Sequence, residues 1–469
     1  MQDRLRGTAV WLTAFFLLLL IGSIVFYKER MLFIDPGWVV FNILNKGSVL
    51  IAEYRYGALA TQVVPLIAGW LQLPLSVILM LYSASFYVFY LVVVLLLVLR
   101  YRQWGFALLL GLYFSLFVSD GYFWPNNEVH QGVAWMFVFL GIFFSRSAAG
   151  LKWFHHLLLL LTGFLALFSH FIVAIPFSFL WIYAICDRAN FKCNRKWFLI
   201  YSCFLTLVFT FKYWLGSRGW YDGPKLEGLR ILNPKAVLES YDSGHIRSML
   251  PLVLNNYWIA LILLLSGIGY TVMKKQYFAA LWTLLYCLGY MCLMGITYPD
   301  AFGRSTLFYI ESEWMALSII VGTIFVYKIL PALQLKYIGL VLLLIALVRL
   351  GYMAESATLF HARYHTVGRM VHTLKAAGIH KALVKKVPAV EKELLMEWGT
   401  PVESMLYCNM EGIEPMITFV IADDNDVPAV GKDEFISCFS KMPVAELNPL
   451  YFRPDTTQNY QQVRYRSVK

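Results

Sequence analysis

Apolar residues along most of this chain come in long runs. A run of roughly 17–25 apolar residues suits a helix that crosses a bilayer, because the helix bonds its own backbone where lipid offers no partner. The pattern predicts about eleven such helices, over 8–27, 76–99, 106–118, 133–144, 153–168, 171–185, 197–215, 252–273, 278–296, 306–327 and 337–354, several of them short for the task. Residues 33–70 break the pattern. Asn42, Asn45, Lys46, Glu53 and Arg55 interrupt apolar positions that recur at helical spacing, which predicts two helices lying along the membrane interface. Beyond 354 the long runs stop. An amphipathic stretch at 360–377, a short run at 382–387, a helix-like 389–398 and strand-like 416–422 and 435–439 predict a small α/β soluble domain. The fold class is therefore an all-α polytopic membrane protein over 1–354, with interfacial helices in 33–70, and a C-terminal α/β domain over 355–469.

Composition sharpens this. Of 469 residues 59% are hydrophobic and only 14% charged, and the mean hydropathy is +0.63, which excludes a soluble enzyme. The net charge of +11 points to no nucleic acid, since the basic residues punctuate the apolar runs and form no arm or face. With the N-terminus in the cytoplasm, Arg100/Arg102, Arg146/Lys152, Arg188/Lys192/Arg195/Lys196, Lys274/Lys275 and Lys328/Lys336 all fall on the cytoplasmic side. The loops 28–75, 119–132, 216–251 and 297–305 and the tail then face out, into the periplasm if the membrane is a bacterial inner membrane. The first run follows Arg4/Arg6 and lacks a small-residue cleavage site, so it reads as a retained helix. The seven cysteines have no metal-site or redox spacing; Cys408 and Cys438 share the tail, either bridged or free.

Candidate chemistry lies in the outward loops. A carboxylate just past a membrane span needs a reason, and Asp35 in FIDPG has two compatible ones: it caps the helix that Pro36 starts, and it is a well-oriented base. The loop SDGYFWPNNEVHQG carries Asp120, Glu128 and His130 among Trp124, Asn126 and Asn127, a set suited to sugar hydroxyls and ring stacking, or else an ordinary polar loop with interface aromatics. His170 in FSHFIVAIP stands where two helices meet, as a hairpin hydrogen bond or a ligand contact. TYPDAFGRST places Tyr298, Asp300 and Arg304 before a span, where an arginine holds a lipid phosphate bidentately or snorkels as an anchor. Glu311 and Glu313 follow inside an apolar segment, about two turns on from Arg304. Arg55 is either a second cation for a donor or a local partner of Glu53. The long loop 216–251, with Trp220, Tyr221, Asp222, Lys225, His245 and Arg247, suits a lid or a docking loop. The tail's ADDND lacks the glycine and distal glutamate of an EF-hand and reads as a solvated turn. Walker, dinucleotide, HExxH and nucleophile-elbow motifs are not evident.

A cytoplasmic N-terminus, the carboxylate Asp35 after the first span, two interfacial helices in that loop, about eleven spans and a periplasmic terminal domain together resemble the GT-C superfamily of integral-membrane glycosyltransferases. The likeness is to bacterial members of the protein O-mannosyltransferase and aminoarabinose-transferase type. It covers nearly the whole chain as architecture, while its motifs are short. It implies a glycosyltransferase that moves a sugar from a polyprenyl-phosphate donor to a glycan, lipid or protein acceptor facing the periplasm. In that implied site Asp35 is the general base and Glu128 a second acid. Arg304 and Arg55 hold the donor phosphate, and Asp120, Trp124, His130, His170, Tyr298 and Glu311 line the substrates. The resemblance calls for no resident cofactor and leaves a divalent metal open. Two other classes are compatible with the sequence. One is a non-catalytic subunit that recruits membrane partners through its tail. The other is a transporter with a coupling site at Glu311/Glu313, which would need broken helices in matched halves.

Overall fold

The computed structural model describes residues 6–125, 128–147, 149–231, 233–422 and 430–465, so Asn126, Asn127 and Asp423 to Asp426 of the ADDND turn lie outside it. The chain is mainly helical. In order, its helices are α1 (Ala9–Val25), α2 (Tyr27–Leu32), α3 (Ile34–Lys46), α4 (Leu59–Trp70), α5 (Leu75–Leu95), α6 (Trp104–Phe117), α7 (Glu128–Arg146), α8 (Trp153–Leu167), α9 (Ala174–Cys186) and α10 (Arg195–Gly216). There follow α11 (Asp222–Glu227), α12 (Pro234–Ser240), α13 (Gly244–Asn255), α14 (Trp258–Met273), α15 (Tyr277–Thr297), α16 (Leu307–Trp314), α17 (Ala316–Ile324), α18 (Leu335–Ala376), α19 (Pro388–Leu394) and α20 (Thr400–Met410).

Each apolar run falls on a helix, but the count of about eleven spans is corrected. Among the described residues five helices are long and apolar enough to cross a membrane: Leu75–Arg100, Glu128–Arg146, Arg195–Gly216, Tyr277–Thr297 and Leu335–Ala376. Two bent pairs raise the number to 7 if each crosses once, Pro234–Asn255 with Trp258–Met273 at 90° and Arg304–Trp314 with Ala316–Ala332 at 50°. Ala9–Val25, Trp104–Phe117, Trp153–Leu167 and Phe171–Cys186 have 10–17 residues. At 1.5 Å per residue they reach at most about 25 Å, short of a hydrocarbon core of about 30 Å. The overcount has a physical cause, since an apolar run buried in protein reads the same as one facing lipid. In α6 every side chain from Gly105 to Phe117 is buried, so this helix is the centre of the bundle.

Buried arginines fix the breaks and loops. The Arg349 guanidinium in α18 donates to Leu116 O at 2.7 Å and to Asn256 O at 2.9 Å, satisfying carbonyls freed at the end of α6 and at the 90° bend. Arg30 in α2 donates to Ser83 Oγ at 2.8 Å and to the Tyr122 carbonyl, and stacks over the Tyr122 ring at 4.3 Å. It thereby pins the loop after α6 to the first helices. At the opposite end of the bundle Phe106, Phe144, Phe191 and Tyr327 cluster, and Lys328 pairs with Asp187 at 2.9 Å. Arg100 and Arg146 both lie close to Tyr101 at that end. The basic connections predicted to share a side thus do so in space at these positions.

The helix α18 runs 42 residues without a break, through the boundary placed at 354/355, so bundle and tail share one element. Beyond it β1 (Lys381–Lys385) is flanked by β2 (Thr418–Ala422) and β5 (Gln461–Val463), both parallel to it. A two-stranded antiparallel ladder joins β3 (Glu434–Ile436) to β4 (Lys441–Pro443). Cys408 and Cys438 are free thiols. The tail lies on α3: Phe41 meets Phe452 at 4.8 Å, Asn448 donates to Leu44 O at 2.9 Å, and Leu406 of α20 lies against Gly37, where a Cβ would sit 2.8 Å from Leu32 O. Where the pattern predicts two interface helices, α3 is sandwiched between bundle and tail, while α4 leaves Val63, Ile67 and Trp70 exposed.

Candidate active site

Asp35 lies in the first turn of α3 and is not its cap. The cap comes from the tail: Glu403 Oε1 accepts the Ile34 N–H at 2.7 Å, and Arg363 holds Glu403 at 2.9 and 2.7 Å. Ile34 takes φ 33°, a strained conformation for a β-branched residue, and Gly399 admits it at a distance no Cβ would allow. Freed from capping, Asp35 turns its Oδ2 to the Trp124 indole N–H at 2.7 Å. Burial, with the Glu128 charge second, raises the Asp35 carboxyl to about 6, against the opposing pull of Trp124 and Arg55. A carboxylate in that range is poised as a base near neutrality.

Arg55 organises the acids beside it. Its guanidinium binds Glu128 at 3.0 Å and Asp222 at 3.2 Å and lies 5.4 Å from the Tyr221 ring centre. Glu53, the duller partner, is not bonded to it and instead offers its carbonyl to Lys212 at 2.6 Å. Asp222 continues into a cavity of about 380 Å³, headed by His170, Asp222, Lys225 and Tyr298 and walled by apolar side chains of α9, α10 and α15, Phe209 and Leu293 among them. Lys225 donates to Tyr309 Oη at 3.1 Å, and Tyr309 packs 5.7 Å from Trp124, the residue that holds Asp35. His170 closes the turn between two helices and also lines the cavity. Its Nδ1 accepts the Ile172 N–H at 3.2 Å, its ring faces the cavity, and burial with the charges of Arg55, Lys225 and Lys212 keeps it neutral far below its usual range.

A second cluster contains the residues placed on the donor phosphate and substrate by resemblance. Arg304 binds Asp120 through both nitrogens, one at 3.0 Å, and Ser356 Oγ donates to the same carboxylate at 2.5 Å. Its bidentate face is therefore engaged by a protein acid. Glu311 is a staple: it accepts the Ser119 N–H at 2.9 Å, the Gly121 N–H at 2.7 Å and the Tyr257 hydroxyl at 2.6 Å, as well as the Ser119 hydroxyl. Those bonds fill most of a carboxylate's acceptor sites, and Glu311 is buried. Glu313 points the other way, toward Tyr298 and Tyr309, without a hydrogen bond of good geometry to either. His130 is buried in α7 with its Nδ1 3.0 Å from the Tyr113 hydroxyl. Trp124 is buried against Phe308 and Tyr309 and orients Asp35, so it presents no open stacking platform.

The structure thus brings Asp35, Glu128, Arg55 and Trp124 together, with Tyr298 and His170 at the adjoining cavity. It sets Arg304, Asp120 and Glu311 apart in a network that fastens the loop after α6. Asp222, Lys225, Tyr309 and the capping Glu403 were not placed in the site from sequence. For the first two a signal existed in the charged, aromatic loop 216–251; for Glu403, some 370 residues from Ile34, none did. No family model, curated protein or solved structure matches this chain.

Proposed function

We propose that the chain is a membrane glycosyltransferase that takes its sugar from a polyprenyl-phosphate donor. The observation that carries this reading is a half-buried carboxylate, Asp35, raised to about 6 and aimed by an indole N–H, near an Arg55 that bridges Glu128 to Asp222, the last of which lines an apolar cavity. In the reaction Asp35 takes the acceptor hydroxyl's proton as its oxygen bonds the anomeric carbon. The bond from that carbon to the phosphate oxygen breaks, and polyprenyl phosphate leaves with the electron pair. Lys225, which lines the cavity, is the cation for the leaving phosphate; Arg304, engaged by Asp120, acts by holding the loop that carries Trp124. Apolar walls suit the first isoprene units. The clustered basic connections at the far end of the bundle support a cytoplasmic placement for that end and an outward placement for the site and tail.

The test is transfer in proteoliposomes from a panel of synthetic polyprenyl-phosphate sugars, read as release of polyprenyl phosphate. Lys225→Met is expected to lose donor binding while the protein stays folded. If no donor in the panel is consumed by the wild type, the reading fails.

A transporter is a second reading with its own support, the two bent helix pairs and the buried Glu313 carboxylate, which has no hydrogen bond of good geometry among the described residues. It requires ion-coupled uptake into vesicles that Glu313→Gln abolishes and Asp35→Asn leaves intact.

A further inference from the structure

On the tail side of α2, away from the proposed active site, two histidines of α18 meet one turn apart. His361 and His365 present their Nε2 atoms to each other at 2.9 Å, and the other ring nitrogen of His361, Nδ1, lies 2.8 Å from Glu29 Oε1 of α2. A carboxylate only accepts, so Nδ1 carries the hydrogen, and in the neutral imidazole Nε2 is the lone-pair nitrogen, 2.9 Å from His365 Nε2. In that tautomer Nε2 accepts a hydrogen bond from His365 or from water, or binds a cation shared by both rings.

We propose that His361 and His365 chelate a divalent transition-metal ion of the zinc class, with Glu29 as the carboxylate that orients the first ligand. Three features support this. Histidines four apart on a helix are on one face and converge on a single ion. Nitrogens at about 2.0–2.1 Å from a zinc ion, at bond angles from a right angle to tetrahedral, stand about 3 Å apart, close to the spacing already present. A carboxylate on the far nitrogen is the usual second partner of a metal-bound imidazole, fixing its tautomer and raising its basicity. The His361 side chain is 56% exposed while Glu29 is 9% exposed, so the orienting acid is held and the metal face is open to water. The neighbouring lysine, Lys28, is drawn off to Glu411 at 3.2 Å. Among the described residues no group of three or more ligating side chains converges, so water completes the shell, and the imidazole pair selects borderline ions over Mg²⁺ or Ca²⁺. Glu29 stands six residues before Asp35, so an ion here fastens α18 to the helix that leads into the proposed base. The metal reading is independent of the transfer reading, because it rests on none of the cavity residues.

The experiment uses the full chain, free of any purification tag, in detergent micelles stripped with chelator. Zn²⁺ binding is followed by calorimetry and thermal melting, with Mg²⁺ as the control, and Cu²⁺ is used to count nitrogen ligands by electron paramagnetic resonance. One Zn²⁺ per chain in the micromolar range, a melting temperature raised by Zn²⁺ and not by Mg²⁺, and a two-nitrogen Cu²⁺ spectrum are expected. His361→Gln/His365→Gln should lose all three while its metal-free melting matches the wild type. Glu29→Gln should weaken binding about 10–100-fold, and His156→Gln in α8, whose ring is bonded to the Tyr201 hydroxyl at 2.7 Å, should change nothing. If the wild type takes up no Zn²⁺, or if the double variant binds as well as the wild type, the pair is a hydrogen bond alone and the proposal falls. Should the double variant melt lower without metal, the Cu²⁺ spectrum of His365→Ala decides, since a retained second nitrogen ligand overturns the assignment.

Discussion

Among single residues, the proposed transfer turns on a carboxylate that the protein makes costly to charge. Asp35 is raised by burial and by Glu128, so between the ordinary carboxylate range and about 6 the folded chain binds a proton that the unfolded chain has released. Stability from this group is therefore full at low pH and is lost as pH rises through about 6. Asp35→Asn removes the charge and keeps an oxygen for the Trp124 indole, so at pH 7 it should melt higher than the wild type. The same change removes the proton acceptor, and transfer should fall about 10²–10⁴-fold with donor binding retained. Wild-type kcat/KM should climb with pH through about 6 and then level. Full activity in Asp35→Asn, or a flat profile from pH 5 to 8, assigns the base elsewhere.

At the scale of elements, α3 depends on a residue that the sequence places far away. Helix starts leave backbone N–H groups without partners, and here Glu403 of α20 supplies the acceptor while Arg363 of α18 holds Glu403. Arg363 also donates to Leu394 O at 2.6 Å and lies over the Phe33 ring at 4.6 Å, so four elements converge on one buried ion pair. Breaking such a pair by removing one charge costs about 3–5 kcal/mol. Glu403→Gln keeps an oxygen for Ile34 and loses the charge, so it should lower the melting temperature by that order and loosen α3 first. Hydrogen exchange that quickens in 34–40 before the rest of the bundle is the signature; uniform quickening would show that Glu403 only stabilises the tail.

At the scale of the whole molecule, the bundle has a basic end and an end occupied by the site and the tail. With the seven native cysteines replaced, a cysteine at Ala445 in the exposed tail should react with a membrane-impermeant thiol reagent in intact spheroplasts, and one at Lys192 should not. Reversed labelling would put the proposed site in the cytoplasm and remove a lipid-linked periplasmic donor from consideration. The one continuous helix of 42 residues, α18, couples the two layers, so the tail is not a module on a flexible tether.

The class of the molecule was legible in the sequence, because lipid imposes long apolar runs and confines polar chemistry to the connections between them, where Asp35, Arg55, Glu128 and His170 all stand. The α/β character of the tail was legible for the same kind of reason, since β1 and β2 are short apolar runs bounded by turn residues. What it did not determine was burial. An apolar run such as α6 has the same composition whether lipid or protein covers it, so the number of spans exceeded what helix length allows. Nor did it determine pairing: Arg304, Glu311 and His130 have the chemistry of ligand contacts, and only the fold showed Arg304 bonded to Asp120, Glu311 to Ser119, Gly121 and Tyr257, and the Nδ1 of His130 to Tyr113. A side chain's type sets what it can bond. Which partner reaches it first is a matter of three-dimensional distance, and across hundreds of residues that distance exists only in the folded chain.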